Sequence, residues 1–448
     1  MIFTSRSRFE TFLQCPRRGY WNYLHGGRGV TLAGSNIALS TGSAVHEGLA
    51  AMFRELKAKP NIKALPHATA LGIASALTSM FKIGDYQREE GEEHSYQEYV
   101  GAEQKALVEG LLWCFAYQVA PDWIERYNIV DVEREERRKI SNNPEIWLEG
   151  KIDLVLEEKS TGDLYVVSFK TSSSLDSRLV DSYRYDIQGV SESWLLEQRI
   201  AETNQRLMEN SLKYVEDDII PIEVHRAAVA YNEAILRAIK PQKVAGVIMC
   251  VLLKNRRYER VKGSGKWETL SPLIKGYRKL VGSDIEYAHS WQYSNSANFS
   301  GKSILGKGWE PFDIWDSYEG GIKEWVAAIA AGEIQPEERV LAQQIWQQTY
   351  YRNDRQMGDW LDQHQAMEEE FVPFFNGDFE FSSLEAKLNN KFWQNRKACM
   401  YPRKCDYLAI CDSAQVEADP IGSGLYEWRE PHHEGELASL VQIEGSHG

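Results

Sequence analysis

The sequence predicts an α/β fold, and three kinds of stretch carry that prediction. Residues 147–171, WLEGKIDLVLEEKSTGDLYVVSFKT, read as two β-rich runs, 147–156 and 164–170. A polar turn, 157–163, containing Gly162, separates them. Residues 244–254, VAGVIMCVLLK, form a continuous apolar run of strand character and length. Between and before these lie helical patterns. Val45, Leu49, Met52 and Phe53 make an apolar stripe within 40–57, and Leu107, Leu111, Leu112, Cys114 and Phe115 fall within 99–120. Strands interleaved with helices of this length predict helices packed on a sheet.

In chain order, residues 5–25 open with Ser5 as a helix cap, and Phe9, Phe12 and Leu13 follow at helical spacing. Pro16 interrupts that pattern immediately after Cys15. The next cluster, Arg17, Arg18, Tyr20, Trp21 and Tyr23, has the composition of a solvated helix face with snorkelling side chains. In the helix 40–57, His46 borders the apolar stripe, a position typical of a packed or surface histidine. Residues 58–66 read as a linker with two prolines, 67–83 as helix and 84–98 as an acidic solvated loop. Cys114 falls in an apolar helix and is expected to be a core thiol. Residues 127–140 are expected to be a strand leading into the hairpin.

Within the hairpin, period-2 alternation places Asp153 on one strand face with Lys151 and Glu149, and Ser168 with Lys170 on a face of the next strand. If those faces coincide, a carboxylate meets an ammonium; otherwise this is a half-solvated hairpin. Residues 181–212 read as one long helix, on which Gln188 and Glu192, four apart, share a face. Cys250 is expected to be buried in its strand. Residues 254–267 read as a loop in which Arg256, Arg257 and Arg260 interleave with Tyr258 and Trp267. That composition suits a phosphate track with base stacking, or equally a flexible basic loop. Residues 270–330 give no motif, 333–371 read as mainly helical, and 412–448 as a polar, poorly ordered tail. No internal repeat is found.

The 448-residue chain has a net charge of −14, which argues against a broad nonspecific DNA-binding surface but allows a local basic groove. No apolar run reaches membrane-spanning length, and the first residues carry no apolar signal segment. A cytoplasmic protein with no membrane partner is expected. In that setting six cysteines point to metal binding or burial rather than disulfides. Residues 399–411, CMYPRKCDYLAIC, hold Cys399, Cys405 and Cys411, and three thiols so close in sequence suggest a metal site that needs a fourth ligand.

Gly150, Lys151, Ile152 and Asp153, followed by Ser168, Phe169, Lys170 and Thr171, resemble the metal-binding core of the PD-(D/E)XK nuclease superfamily. The nearest likeness is to its RecB-like branch, which includes CRISPR-adaptation nucleases and phage-encoded relatives. The resemblance implies a restriction-endonuclease-like central mixed sheet flanked by helices. It also implies helical N- and C-terminal extensions joined by a metal cluster. The segment 5–20 is similar to the opening of many such enzymes, where the cysteine, here Cys15, is an iron–sulfur ligand. The resemblance thus makes Cys15, Cys399, Cys405 and Cys411 ligands of a 4Fe–4S cluster. Zn²⁺ is the alternative, since it also accepts four thiolates. Gly42, His46 and Leu49 resemble the family's metal-site histidine motif.

What the resemblance implies is a metal-dependent deoxyribonuclease, an exonuclease of DNA recombination, repair or phage DNA processing. Asp153, His46 and the Phe169 carbonyl would hold Mg²⁺ or Mn²⁺, Lys170 would position water, and Gln188 would orient the site. Ser168 stands where the family has an acid, and Glu192 where relatives have Tyr. Glu192 is therefore the expected replacement carboxylate, with Glu149 as its rival. Arg256, Arg257, Tyr258 and Arg260 would contact DNA, single-stranded or with free ends, and a helicase or recombination partner is expected. The location would be bacterial cytoplasm, the host's if the chain is phage-encoded. The expected division is a helical region 1–126, a nuclease core 127–255, a mixed region 256–394, the cysteine segment 395–412 and a polar tail 413–448. A catalytically degenerate DNA-binding or scaffold subunit, and a structural zinc protein unrelated to nucleic acid, are the competing readings.

Overall fold

The computed structural model of the chain describes residues 2–33, 37–80, 96–172, 175, 177–213, 243–254, 258–260, 267–269, 290–294, 309–313, 322–334, 345–375, 388–400 and 404–430. The chain opens with a strand, β1 (Ile2–Ser5), then α1 (Arg6–Gln14) and a short α2 (Pro16–Gly19). The Ser5 hydroxyl caps α1 by accepting from the Arg8 N–H, as its residue type predicts. Cys15 lies between the helices in an extended conformation, φ −162° and ψ 110°, because the following Pro16 disfavours helical backbone before it. After β2 (Val30–Leu32) come α3 (Ile37–Ala58), α4 (Leu65–Ser79), α5 (Tyr96–Gln118) and α6 (Ala120–Arg126). Helices α3 and α4 meet at a pair of glycines. A Cβ on Gly72 would come 2.5 Å from the Gly48 carbonyl oxygen, so only hydrogen at these positions allows so close a crossing.

The sheet begins with β3 (Tyr127–Asn142), β4 (Glu145–Glu158) and β5 (Leu164–Ser172). Next come α7 (Ser177–Tyr183), α8 (Ile187–Lys213) and β6 (Val244–Leu253). The expected single helix over 181–212 is thus two helices, because Tyr183–Asp186 forms a turn whose Asp186 side chain caps α8 through the Gly189 N–H. The expected loop after β6 contains a hairpin of β7 (Tyr258–Arg260) and β8 (Trp267–Thr269), and β9 (Ser290–Ser294) pairs with β10 (Trp309–Asp313). Then follow α9 (Ile322–Ala331), β11 (Ile345–Tyr350) and α10 (Asp354–Phe375).

The central sheet is mixed and runs β1-β4-β5-β6-β11, with β3 along the other edge of β4. Two of its strands come from segments not read as strands in the sequence. Residues 2–5 pair parallel with 146–149, and residues 345–350, expected to be helical, pair antiparallel with 247–252. The pattern of β11, IWQQTY, is half-exposed and polar, so it acquires strand geometry from its neighbour rather than from its own periodicity.

One sheet face packs on α3, α5 and α6 through Val45, Leu49, Phe53, Phe115, Trp123, Leu154 and Phe169, and Cys114 and Cys250 are buried here as expected. The other face packs on α8 through Val155, Val166, Leu196, Val247 and Met249. The expected mixed sheet flanked by helices is therefore present. No helix among the described residues is long and apolar enough to cross a membrane.

The chain ends form their own apolar cluster. Phe12, Tyr20, Trp21 and Tyr23 are packed with Phe371, Phe392, Tyr407 and Tyr426. This corrects the solvated-face reading of residues 17–23, because all three aromatics there are buried. Residues 413–430 are also built into structure: Tyr426–Trp428 forms β12, pairing antiparallel with β2. Residues 431–448 lie outside the described residues.

A buried polar network ties α10 to the first strand and helix. Glu368 accepts from Arg8 Nη2 at 2.8 Å and from Thr4 Oγ1 at 2.5 Å, with His364 beside it. Burial alone would raise the Glu368 carboxyl, but the Arg8 charge, with His364 and Thr4, holds it below its usual range. Arg8→Met should strand that carboxylate and cost about 3–5 kcal/mol, read from the denaturation midpoint, whereas Arg8→Met with Glu368→Leu should recover most of it. Because the folded carboxyl is depressed, its contribution is complete above the ordinary carboxylate range and lost as pH falls through the folded value. The gap between wild type and Arg8→Met should therefore close on acidification; a gap independent of pH would assign the stability to packing alone.

Candidate active site

The site lies where the sheet splits. Along one edge β4 is shared by two partners: residues 146–149 pair with β1 and residues 154–157 with β5. Gly150 to Asp153 span the gap between them. Beyond Val167, β5 leaves β4 and continues with β6 alone, so the Phe169 N–H has no β4 carbonyl to meet. Asp153 takes its place, with Oδ2 accepting from Phe169 N at 2.9 Å. The other oxygen, Oδ1, is 3.5 Å from His46 Nδ1. Helix α3 can bring His46 this close because Gly42, one turn earlier, would place a Cβ only 3.2 Å from Thr171 Oγ1 on β5.

The third member is Glu133 of β3, which is absent from the sequence-based candidates. Val132 and Arg134 pair with Leu154 and Ile152, bracketing Glu133 against Asp153. Its backbone has φ 51°, a left-handed conformation unusual for a strand residue with a side chain. His46, Glu133 and Asp153 each offer a ligand atom, all within 4.8 Å of one another, and Lys151 pairs with Glu133 from outside. One signal could have found Glu133. The two-residue turn at Asn143–Pro144 sets Asn142 against Glu145, and counting back through the irregularity at Ile140 reaches Glu133 opposite Asp153. The irregularity itself is not legible in the sequence.

On the α8 side, Lys170 donates to Gln188 Oε1, and Gln188 Nε2 donates to Glu192 Oε1 at 2.6 Å. Glu192 is 4% exposed and its Oε2 has no hydrogen-bond partner among the described residues; the same holds for the fully buried Ser168 Oγ. Burial first, and repulsion from Asp153 next, push the Glu192 carboxyl well above its usual range. Burial works to lower His46, yet its hydrogen bond and charge interaction with Asp153 raise it. Burial likewise opposes ionisation of Asp153, but His46, the Phe169 N–H and Lys170 leave it below the usual carboxylate range. The rival acid Glu149 is engaged elsewhere, 2.5 Å from Arg137.

The structure therefore gathers His46, Asp153, Phe169, Lys170, Gln188 and Glu192 from α3, β4, β5 and α8. A divalent-metal core at a forked sheet is what this arrangement offers. The model of the PD-(D/E)XK nuclease superfamily matches residues 4–238, more than half of the chain and all of this site. The chain belongs to the PD-(D/E)XK nuclease superfamily. No curated protein matches it. The PD-(D/E)XK superfamily generally comprises metal-dependent nucleases, and the imidazole plus two carboxylates found here fit Mg²⁺ or Mn²⁺, which favour hard oxygen donors.

This PD-(D/E)XK chain carries a second constellation at its ends. Cys15, Cys399, Cys405 and Cys411 line one cavity with Arg18, Gln394, Asn395 and Tyr407. Asn395 N donates to Cys15 Sγ at 3.3 Å, and Gln394 Nε2 to Cys399 Sγ at 3.4 Å. Of the expected DNA contacts, Arg256 and Arg257 lie outside the described residues, and Tyr258 and Arg260 belong to β7.

Proposed function

We propose that the chain is a deoxyribonuclease of the RecB-like kind, an exonuclease hydrolysing DNA phosphodiesters in recombination, repair or phage DNA processing. The observation that carries this reading is the convergence of His46, Asp153 and Lys170 at the fork between β4 and β5. Asp153 and His46, with the Phe169 carbonyl, would hold Mg²⁺ or Mn²⁺. When bound, the ion supplies a more acidic water and neutralises phosphate charge. Lys170, aimed by Gln188, holds the attacking water and offsets charge that develops on the phosphate oxygens. Glu192 fixes the Gln188 amide and thereby the direction of the Lys170 ammonium. With a net charge of −14, DNA must be met by a local basic track, for which Arg256, Arg257, Tyr258 and Arg260 are our assignment. The substrate would be single-stranded or end-bearing DNA, and a helicase or recombination protein would supply it.

For the chain ends we propose a 4Fe–4S cluster held by Cys15, Cys399, Cys405 and Cys411. All four thiols face one cavity, which supports a shared inorganic group. Tetrahedral zinc, with Zn–S near 2.3 Å, needs sulfurs about 3.8 Å apart. Zn²⁺ on the same four thiolates, which would draw them together, is the alternative for this cavity.

The exonuclease reading is tested with linear and covalently closed single-stranded DNA in Mg²⁺ or Mn²⁺. Linear DNA should be degraded and closed circles should survive. Equal cutting of circles would make the protein an endonuclease. DNA bound but uncut with either ion would favour the competing reading, a nuclease-fold DNA-binding subunit, for which Ser168 at the acid position is the supporting observation.

A further inference from the structure

We propose that Glu133 replaces the acid missing at Ser168, and that it binds the catalytic divalent cation together with His46 and Asp153. This rests on the metal-dependent reading above and goes beyond it by assigning the second carboxylate. A serine hydroxyl brings no formal charge, so a Mg²⁺ or Mn²⁺ site with Ser168 needs another anionic oxygen close to Asp153. Three acids compete for the role. Glu149 is turned to Arg137. Glu192 gives one oxygen to Gln188, and it does not join the group whose ligand atoms lie mutually within 4.8 Å. Glu133 does join it, from the strand directly across from Asp153.

The setting of Glu133 agrees with this role. Its side chain is 9% exposed and that of Asp153 11%, so two carboxylates sit together with little water to screen them. Glu133 has Lys151 as a positive partner, and Asp153 has His46 and the Phe169 N–H. A divalent cation between Glu133 and Asp153 would relieve the repulsion of two carboxylates held this close. The left-handed backbone at Glu133 is unfavourable for a residue with a Cβ. No neighbour of Glu133 in β3 shows a positive φ.

The test is Mn²⁺ binding to the full chain, followed by calorimetry and by loss of the free-Mn²⁺ paramagnetic resonance signal, with DNA cleavage measured alongside. The variants are E133Q, E133G, D153N and E192Q. E133G is included because glycine adopts φ 51° freely, so its fold is not in question. Both Glu133 variants should weaken Mn²⁺ at least about tenfold, no less than the loss of an outer-sphere partner does. D153N should do the same and E192Q should bind like wild type. If E133Q and E133G bind like wild type while D153N does not, the Glu133 assignment fails and the nuclease reading stands. Loss of binding in E192Q with retention in E133Q overturns it in favour of Glu192. Wild type that neither binds Mn²⁺ nor cleaves overturns the assignment and the metal-dependent reading together.

Discussion

Asp153→Ala should reduce DNA cleavage by roughly 10²-fold or more, the scale on which removal of single preorganised electrostatic groups acts in other active sites. Its two oxygens do separate work, one accepting from the Phe169 N–H and one facing His46. Alanine removes a hard ligand and leaves that N–H without its acceptor, at a cost of about 1–3 kcal/mol in stability. Asp153→Asn separates the two effects, since an amide oxygen still accepts from Phe169 but brings no charge. It should therefore lose cleavage with little change in melting temperature. Lys170→Ala should lose cleavage to a similar extent, because the ammonium is held by the Gln188 amide and, among the described residues, is in no ion pair with a carboxylate, leaving its charge available to the substrate. DNA affinity, measured by filter binding without divalent metal, should change far less in all three. Cleavage undiminished in either the Asp153 or the Lys170 variants would place the active site elsewhere.

Replacing Cys405 with serine should bleach the protein and loosen its ends. Purified without oxygen, wild type should be brown, with broad absorption toward the violet end of the spectrum. Serine at Cys15, Cys399 or Cys411 should have the same effect, because each thiol lines the same cavity. Burial raises Cys405, and pushes Cys411 up to about 12, so in the metal-free chain these groups are neutral thiols and metal binding must release their protons. The proposed cluster would join residue 15 to residues nearly four hundred positions later, a closure whose loss is comparable to breaking a native crosslink, about 3–5 kcal/mol. With an unfolding entropy of about 2.1 cal/mol/K per residue, a chain of 448 residues shifts by roughly 1 °C per kcal/mol, so the melting temperature should fall by about 3–5 °C. Complete unfolding is not expected. Phe12, Phe371, Phe392 and Tyr407 still pack together, and β2 still pairs with β12. Colourless protein carrying stoichiometric zinc would remove the cluster from the assignment and keep the staple.

Much of this was legible from residue order alone. The β-rich runs around Gly162 became β4 and β5, with Asp153 and Lys170 on them, and the stripe of Val45, Leu49, Met52 and Phe53 became the buried face of α3. Those features depend on local periodicity, which a strand or an amphipathic helix writes into its own sequence. The three clustered cysteines were visible for a similar reason, since thiols at short spacing need no fold to be noticed.

Tertiary structure decided the rest. Residues 2–5 and 345–350 are short, and each becomes a strand only because β4 or β6 offers an unpaired edge. Trp21 and Tyr23 read as a solvated face in the sequence because their burial depends on Phe392, Tyr407 and Tyr426, more than 360 residues away. Glu133 was hidden in the charged run DVEREERRK, where every acid looks alike. What distinguishes it is its place across from Asp153 at the point where β4 passes from β1 to β5, and a backbone turned to φ 51°. A strand's sequence records which residues alternate, but the partner strand and its register decide which of them meet, and a single irregularity shifts that meeting by one residue.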